Sequence, residues 1–204
     1  MSVKTFLFDL GNVLYTFDFQ LVHSFLRERC PGYDLTMLPE LRDLLRSYES
    51  GNTSTMDFFQ GVKEKIGFKG DFPEFRKGFS EIFFENKDTL PIVRKLMKKH
   101  PLYVLSNTNE MHIDYITSNF PFFNEISGKV YSFEVGFSKP DPRIYEAAIK
   151  KFNLTPQDTL FIDDLEKNID AASRLGFQTL HYRMNNGKPE ISLQEELTRI
   201  GIEV

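Results

Sequence analysis

The sequence predicts an open α/β fold: a parallel sheet covered by helices, carrying an all-helical insertion after its first strand. Three observations carry this. Short apolar runs end in polar residues, amphipathic helical patterns alternate with them, and one long stretch contains helical patterns alone.

Val3 to Phe8 is an apolar run that ends at Asp9, as a buried strand entering a functional turn would. From about Tyr15 to Glu85 no clear buried strand appears. Amphipathic helical patterns there are divided at Pro31-Gly32, Ser50-Gly51-Asn52 and Gly70. Many of the 21 phenylalanines fall between Phe17 and Phe84, which predicts a helical module packed on aromatic rings. The expected division is therefore a sheet core at 1–14 and 86–204 and a helical insertion at 15–85.

Leu90, Val93, Leu96 and Met97 mark one face of the next helix. Lys98 and Lys99 suit its negative end, and Pro101 stops it. A second buried strand follows at Leu102–Leu105, then a weaker one at Lys129–Phe133. Ile144, Ala147, Ala148 and Phe152 share a helix face, with Glu146 and Lys150 paired at i,i+4. Thr159–Ile162 is a further strand ending in Asp163-Asp164. The helix of Ile169, Ala172 and Leu175 ends at Gly176, and Gln178–Tyr182 forms the last strand.

Bulk properties narrow the function. The chain has 204 residues, 41% hydrophobic and 26% charged, enough for one substantial core with an accessory module. A net charge of −4 provides no field favouring nucleic acid or an anionic membrane. The lone Cys30 permits no internal disulfide, and no segment approaches transmembrane length or reads as a signal peptide. The expected setting is cytoplasmic. His23, His100, His112 and His181 lack metal-ligand spacing and read as structural or surface residues.

In open α/β sheets, ligands bind at the carboxyl ends of the strands. Asp9, Ser106-Asn107, Lys139 and Asp163-Asp164 all fall in such places. Phosphoryl transfer explains these residue types together. A carboxylate can attack phosphorus, a lysine and Mg²⁺ neutralise the meeting of two anions, and hydroxyl and backbone N–H groups hold the phosphoryl oxygens.

Four motifs carry a family resemblance over the whole chain. Phe8-Asp9-Leu10-Gly11-Asn12-Val13-Leu14 resembles the first motif of the haloacid dehalogenase (HAD) superfamily, and Val104-Leu105-Ser106-Asn107 its second. Ser138-Lys139-Pro140 is similar to the third, and Phe161-Ile162-Asp163-Asp164 to the fourth. The resemblance implies a Rossmann-like core with a small helical cap at 15–85. It also implies a Mg²⁺-dependent phosphatase acting on a small phosphorylated metabolite. Asp9 would be nucleophile and metal ligand, with the Gly11 carbonyl and Asp164 as further ligands and Asp163 acting through a metal-bound water. Ser106 and Asn107 would bind phosphate, and Lys139 would neutralise the intermediate. Within the superfamily, the Asp-Leu-Gly-Asn-Val run and Asp18-Phe19 are similar to bacterial sugar-phosphate phosphatases, especially those acting on α-glucose-1-phosphate.

One position departs from the pattern. Most phosphatases of this superfamily carry an aspartate two residues after the nucleophile as general acid, and here Gly11 stands there. General acid–base catalysis is worth about 10²–10⁴-fold. Three readings follow: an easy leaving group such as a sugar 1-phosphate or acyl phosphate, a substitute acid with Asp18 as candidate, or an inactive member. The rivals to a phosphatase are a metal-free dehalogenase and a non-catalytic phosphate-binding protein. In the insertion, Glu49-Ser50-Gly51 reads as a helix-ending loop.

Overall fold

The computed structural model describes residues 3–185 and 187–204. Met1, Ser2 and Asn186, which the domain division assigns to the core, lie outside the described residues. The chain forms a five-stranded sheet from β1 (Thr5–Phe8), β4 (Leu102–Ser106), β5 (Gly128–Tyr131), β6 (Thr159–Asp163) and β7 (Gln178–His181). Its order is β5-β4-β1-β6-β7, and every pairing is parallel. Each of these strands overlaps a run read from the sequence.

The strands are apolar on both faces because both faces are covered. In β1, Phe6 and Phe8 join one hydrophobic cluster, with Val104, Leu160, Ile162 and Val93 and Leu96 of α5 (Leu90–Met97). Leu7 joins the other, with Leu105, Phe161, Ile144 and Ala148 of α9 (Pro142–Phe152), and Ala171 and Ala172 of α10 (Glu166–Arg174). Pro142 at the first turn and Asp141 as N-cap start α9, and Gly176 takes a left-handed φ of 87° just past α10. The remaining elements are α6 (Glu110–Asn119), α7 (Pro121–Glu125), α8 (Ser132–Val135), a hairpin of β8 (Met184–Asn185) with β9 (Lys188–Pro189), and α11 (Leu193–Arg199).

The helical stretch holds α1 (Phe19–Arg29), α2 (Leu38–Glu49), α3 (Thr55–Ile66) and α4 (Phe72–Ser80). The break between α3 and α4 begins at Gly67, in a left-handed conformation, ahead of the Gly70 expected from sequence. Two short strands that the sequence did not signal bracket these helices. β2 (Tyr15–Phe17) and β3 (Phe83–Glu85) pair antiparallel and bring the two ends of the stretch together. Inside it, Phe75 contacts Phe58, Phe59, Phe68 and Phe79 at centroid distances of 5.2–5.9 Å, the aromatic packing expected from composition. No helix among the described residues is long and apolar enough to cross a membrane.

His112 ties this module to the sheet core. Its ring stacks on Phe79 at 4.6 Å, and its Nε2 lies 3.2 Å from the Phe79 carbonyl oxygen. The Asn109 amide donates to Nδ1 at 3.0 Å, so Nε2 carries the proton and donates to that carbonyl. Burial pushes the imidazole pKa down to about 4. A folded-state value below the unfolded one gives stability that is present above about pH 6.5 and lost as pH falls through 4. Wild type should therefore lose about 2–3 kcal/mol more than His112→Gln between pH 7 and pH 4 in urea unfolding. Parallel profiles for the two proteins would contradict this.

Candidate active site

Sheet order places the site. From β1 the chain steps to β4 and β5 on one side, then crosses back past β1 to β6 and β7 on the other, so strand order reverses at β1. That leaves a crevice at the carboxyl ends of the strands. Asp9 follows β1, Ser106 ends β4 and Asp163 ends β6. The Asp9 backbone N–H donates to the Ile162 carbonyl at 2.8 Å, setting Asp9 beside Asp163.

Asp9, Asp163 and Asp164 each offer a carboxylate oxygen, and these oxygens lie within 4.8 Å of one another. Lys139 reaches into the group, with Nζ 2.8 Å from Asp9 Oδ1 and 2.6 Å from Asp163 Oδ2. Its side chain is 1% exposed. Burial alone would lower the lysine pKa, but the charges of Asp163 and Asp9 outweigh it and hold the ammonium above its ordinary value. Asp9 is raised too, which for a carboxyl disfavours the charged form. Burial, then the Asp163 and Asp164 charges, raise it to about 7 against the pull of Lys139. Burial also raises Asp164.

Hydrogen bonds assign a job to each carboxylate oxygen. Asp163 Oδ1 accepts from Leu165 N–H at 2.9 Å and from the Asn168 amide at 2.9 Å, while Oδ2 accepts from Lys139 and, at 3.1 Å, from Asn168. That carboxylate is fully engaged by protein. Asp9 Oδ1 takes Leu10 N–H at 2.7 Å as well as Lys139, while among the described residues Oδ2 has no hydrogen bond. Asp164 Oδ2 accepts from the Asn12 amide at 2.8 Å.

Asn107 is held differently from the phosphate-binding side chain expected. Its amide donates to the Lys139 carbonyl at 2.9 Å, and its Oδ1 accepts Lys139 N–H at 2.7 Å. Both halves of the side chain clamp the Lys139 backbone. Ser106 is buried, and its hydroxyl makes one long contact, 3.4 Å to the Asn107 carbonyl.

Asp18 sits outside the carboxylate cluster. It is exposed, and its Oδ1 accepts Gln20 N–H at 2.8 Å as the N-cap of α1. Glu49 ends α2 as expected, and Gly51 in the following loop packs so closely that an added Cβ would meet the Phe133 carbonyl oxygen at 2.2 Å.

Two supporting residues carried little or no sequence signal. Asn12 takes a left-handed φ of 58°, which aims its amide at Asp164; a Gly-Asn pair after a strand was the available clue. Asn168 is buried against Asp163.

Removing one partner from a buried ion group leaves uncompensated charge, which typically costs about 3–5 kcal/mol. Lys139→Ala should lower unfolding free energy by about that amount in urea titration with EDTA. A loss under about 1 kcal/mol would show that the ammonium does not hold the cluster together.

Comparison with known proteins places this geometry in a family. A family model for haloacid dehalogenase-like hydrolases matches residues 3–176. A D-ribitol-5-phosphate phosphatase of Bacteroides thetaiotaomicron is 29% identical over 210 residues, spanning 97% of this chain and 98% of that protein. A HAD family enzyme of the same organism, solved as wild type with magnesium and inorganic phosphate, superposes with a TM-score of 0.81 at 26% identity. That match covers 92% of this chain and 96% of the other. An (S)-2-haloacid dehalogenase of Pseudomonas putida is 25% identical over 151 residues, 72% of this chain and 66% of that enzyme. The four motifs, the parallel sheet and these matches agree: the chain belongs to the haloacid dehalogenase-like hydrolases.

Proposed function

We propose that this chain is a Mg²⁺-dependent phosphatase acting on a small phosphorylated metabolite, a sugar phosphate such as a sugar 1-phosphate, through an aspartyl-phosphate on Asp9. The observation that carries the reading is a charge imbalance. Three carboxylates crowd together with a single ammonium among them, and burial and mutual repulsion raise Asp9 to about 7. A divalent cation corrects that imbalance, and carboxylate oxygens with a carbonyl and waters are the donors Mg²⁺ prefers. The relatives with matching names, one a phosphatase and one solved with magnesium and phosphate, support it.

The donor set fits the ion. Asp9 through Oδ2, Asp164 and the Gly11 carbonyl would hold it, and Asp163, whose oxygens the protein already occupies, would act through a bound water. Bound Mg²⁺ supplies charge neutralisation for the phosphoryl oxygens.

In the first half-reaction an Asp9 oxygen attacks phosphorus, the bond from phosphorus to the leaving oxygen breaks, and the leaving oxygen takes the electron pair. In the second, water attacks phosphorus, the Asp9–phosphorus bond breaks and the carboxylate returns. Lys139 holds Asp9 Oδ1 in place and offsets the gathering negative charge. The Ser106 hydroxyl and backbone N–H groups at 106–107 bind phosphoryl oxygens, and the Asn107 side chain contributes by fixing Lys139. Residues 15–85 serve as the cap that encloses substrate. Asp18 is the weaker choice of acid because its carboxylate caps α1. Turnover in the cytoplasm on an activated phosphate needs no side-chain acid at Gly11.

A metal-free dehalogenase has one relative in its favour. The carboxylate cluster opposes it, since attack on carbon gives no reason to gather three acids. The test is phosphate release from a metabolite panel with Mg²⁺. Activity should vanish in EDTA and fall more than about 10³-fold in Asp9→Asn. Retained activity in that variant, or EDTA-resistant haloacid hydrolysis, would overturn the reading.

A further inference from the structure

Gly11 is not one of the glycines in the left-handed region, so its backbone would accept a side chain. Space forbids one. A Cβ built there lies 2.9 Å from Phe17 Cε1 and 3.5 Å from Cδ1. The ring is partly buried and packs against two others. Phe17 is paired with Phe83 across β2 and β3, and its ring meets Phe83 edge-on at 6.1 Å and Phe19 at 5.2 Å. Phe19 in turn lines a mainly apolar cavity of about 510 Å³ between the insertion helices. Phe17 thus stands between Gly11 and the Phe19 ring at that cavity.

We propose that Phe17 is a specificity-determining residue, an aromatic wall that excludes a proton-donating side chain at residue 11. This rests on the phosphatase reading. A ring with no polar hydrogen cannot protonate a departing oxygen. Substrates that leave as stable anions, such as anomeric, acyl or aryl phosphates, then turn over well, and phosphates of simple alcohols turn over poorly. Gly11 and Phe17 form one unit: an acid placed at residue 11 can work only when the ring is removed.

The test uses aryl phosphates of graded phenol acidity plus one alkyl phosphate, with Mg²⁺. Wild-type kcat/KM should fall steeply as the leaving group becomes more basic. Gly11→Asp alone should lose at least about 10-fold, because the ring displaces the new carboxyl. Gly11→Asp combined with Phe17→Ala should flatten the dependence and raise turnover of the alkyl phosphate at least about 10-fold above wild type. A Gly11→Asp protein that flattens the dependence without loss overturns the proposal, as does a double variant as steep as wild type. Packing is checked separately by melting temperature. Gly11→Ala should lower Tm in wild type and not in a Phe17→Ala background, and additive changes overturn the steric coupling. No wild-type turnover of any phosphate sinks the phosphatase reading and this proposal together; a steep wild-type dependence with additive Tm changes sinks Phe17 alone.

Discussion

A single buried ammonium lies between the carboxylates that end β1 and β6, and the site's other supporting contacts converge on it. Lys139 contacts Asp9 and Asp163 within 2.8 Å while almost wholly removed from water. A charge in that position is tolerable only when paired and held by good geometry. The protein supplies that geometry from three directions. Asn107 grips the Lys139 backbone on both sides, Asn168 and Leu165 N–H fix Asp163, and Leu10 N–H fixes Asp9. These contacts span four separate stretches of chain, so folding of the sheet and assembly of the site are one event.

The same pairing leaves the site short of positive charge. Lys139 answers only part of the negative charge around it, and burial keeps Asp9 raised to about 7. Burial and the neighbouring acids disfavour the charged form of Asp9, and Lys139 alone offsets them. The imbalance therefore joins stability to function. The carboxylates outnumber the ammonium, and the proposed Mg²⁺ would offset the excess charge around Asp9.

The sheet was legible because buried parallel strands read as apolar runs, and the acids ending Phe6-Leu7-Phe8 and Leu160-Phe161-Ile162 marked the site. Asp9 and Asp163 were legible because charge at the end of a buried strand needs a function, whereas Lys139 lies in the loop between α8 and α9 and was legible through the Ser138-Lys139-Pro140 motif. Other features left no local trace. β2 and β3 are three residues each, too short to show alternation, and Phe84 in β3 is exposed. The clamp of Asn107 on Lys139 joins residues 32 apart and follows from topology alone. Gly11 was visible as a missing acid, while the Phe17 ring lying against it needed the fold of the turn between them. Asp18 shows the opposite error: a carboxylate near the site in sequence is occupied in starting a helix.

The central claim is that the carboxylate cluster is built for a divalent cation, and calorimetric titration of the metal-free protein with Mg²⁺ addresses it without any substrate. One ion should bind per chain in wild type, with binding lost in Asp164→Asn while the melting temperature stays near that of wild type. An absence of Mg²⁺ binding by wild type, or unchanged binding in Asp164→Asn, would contradict the account.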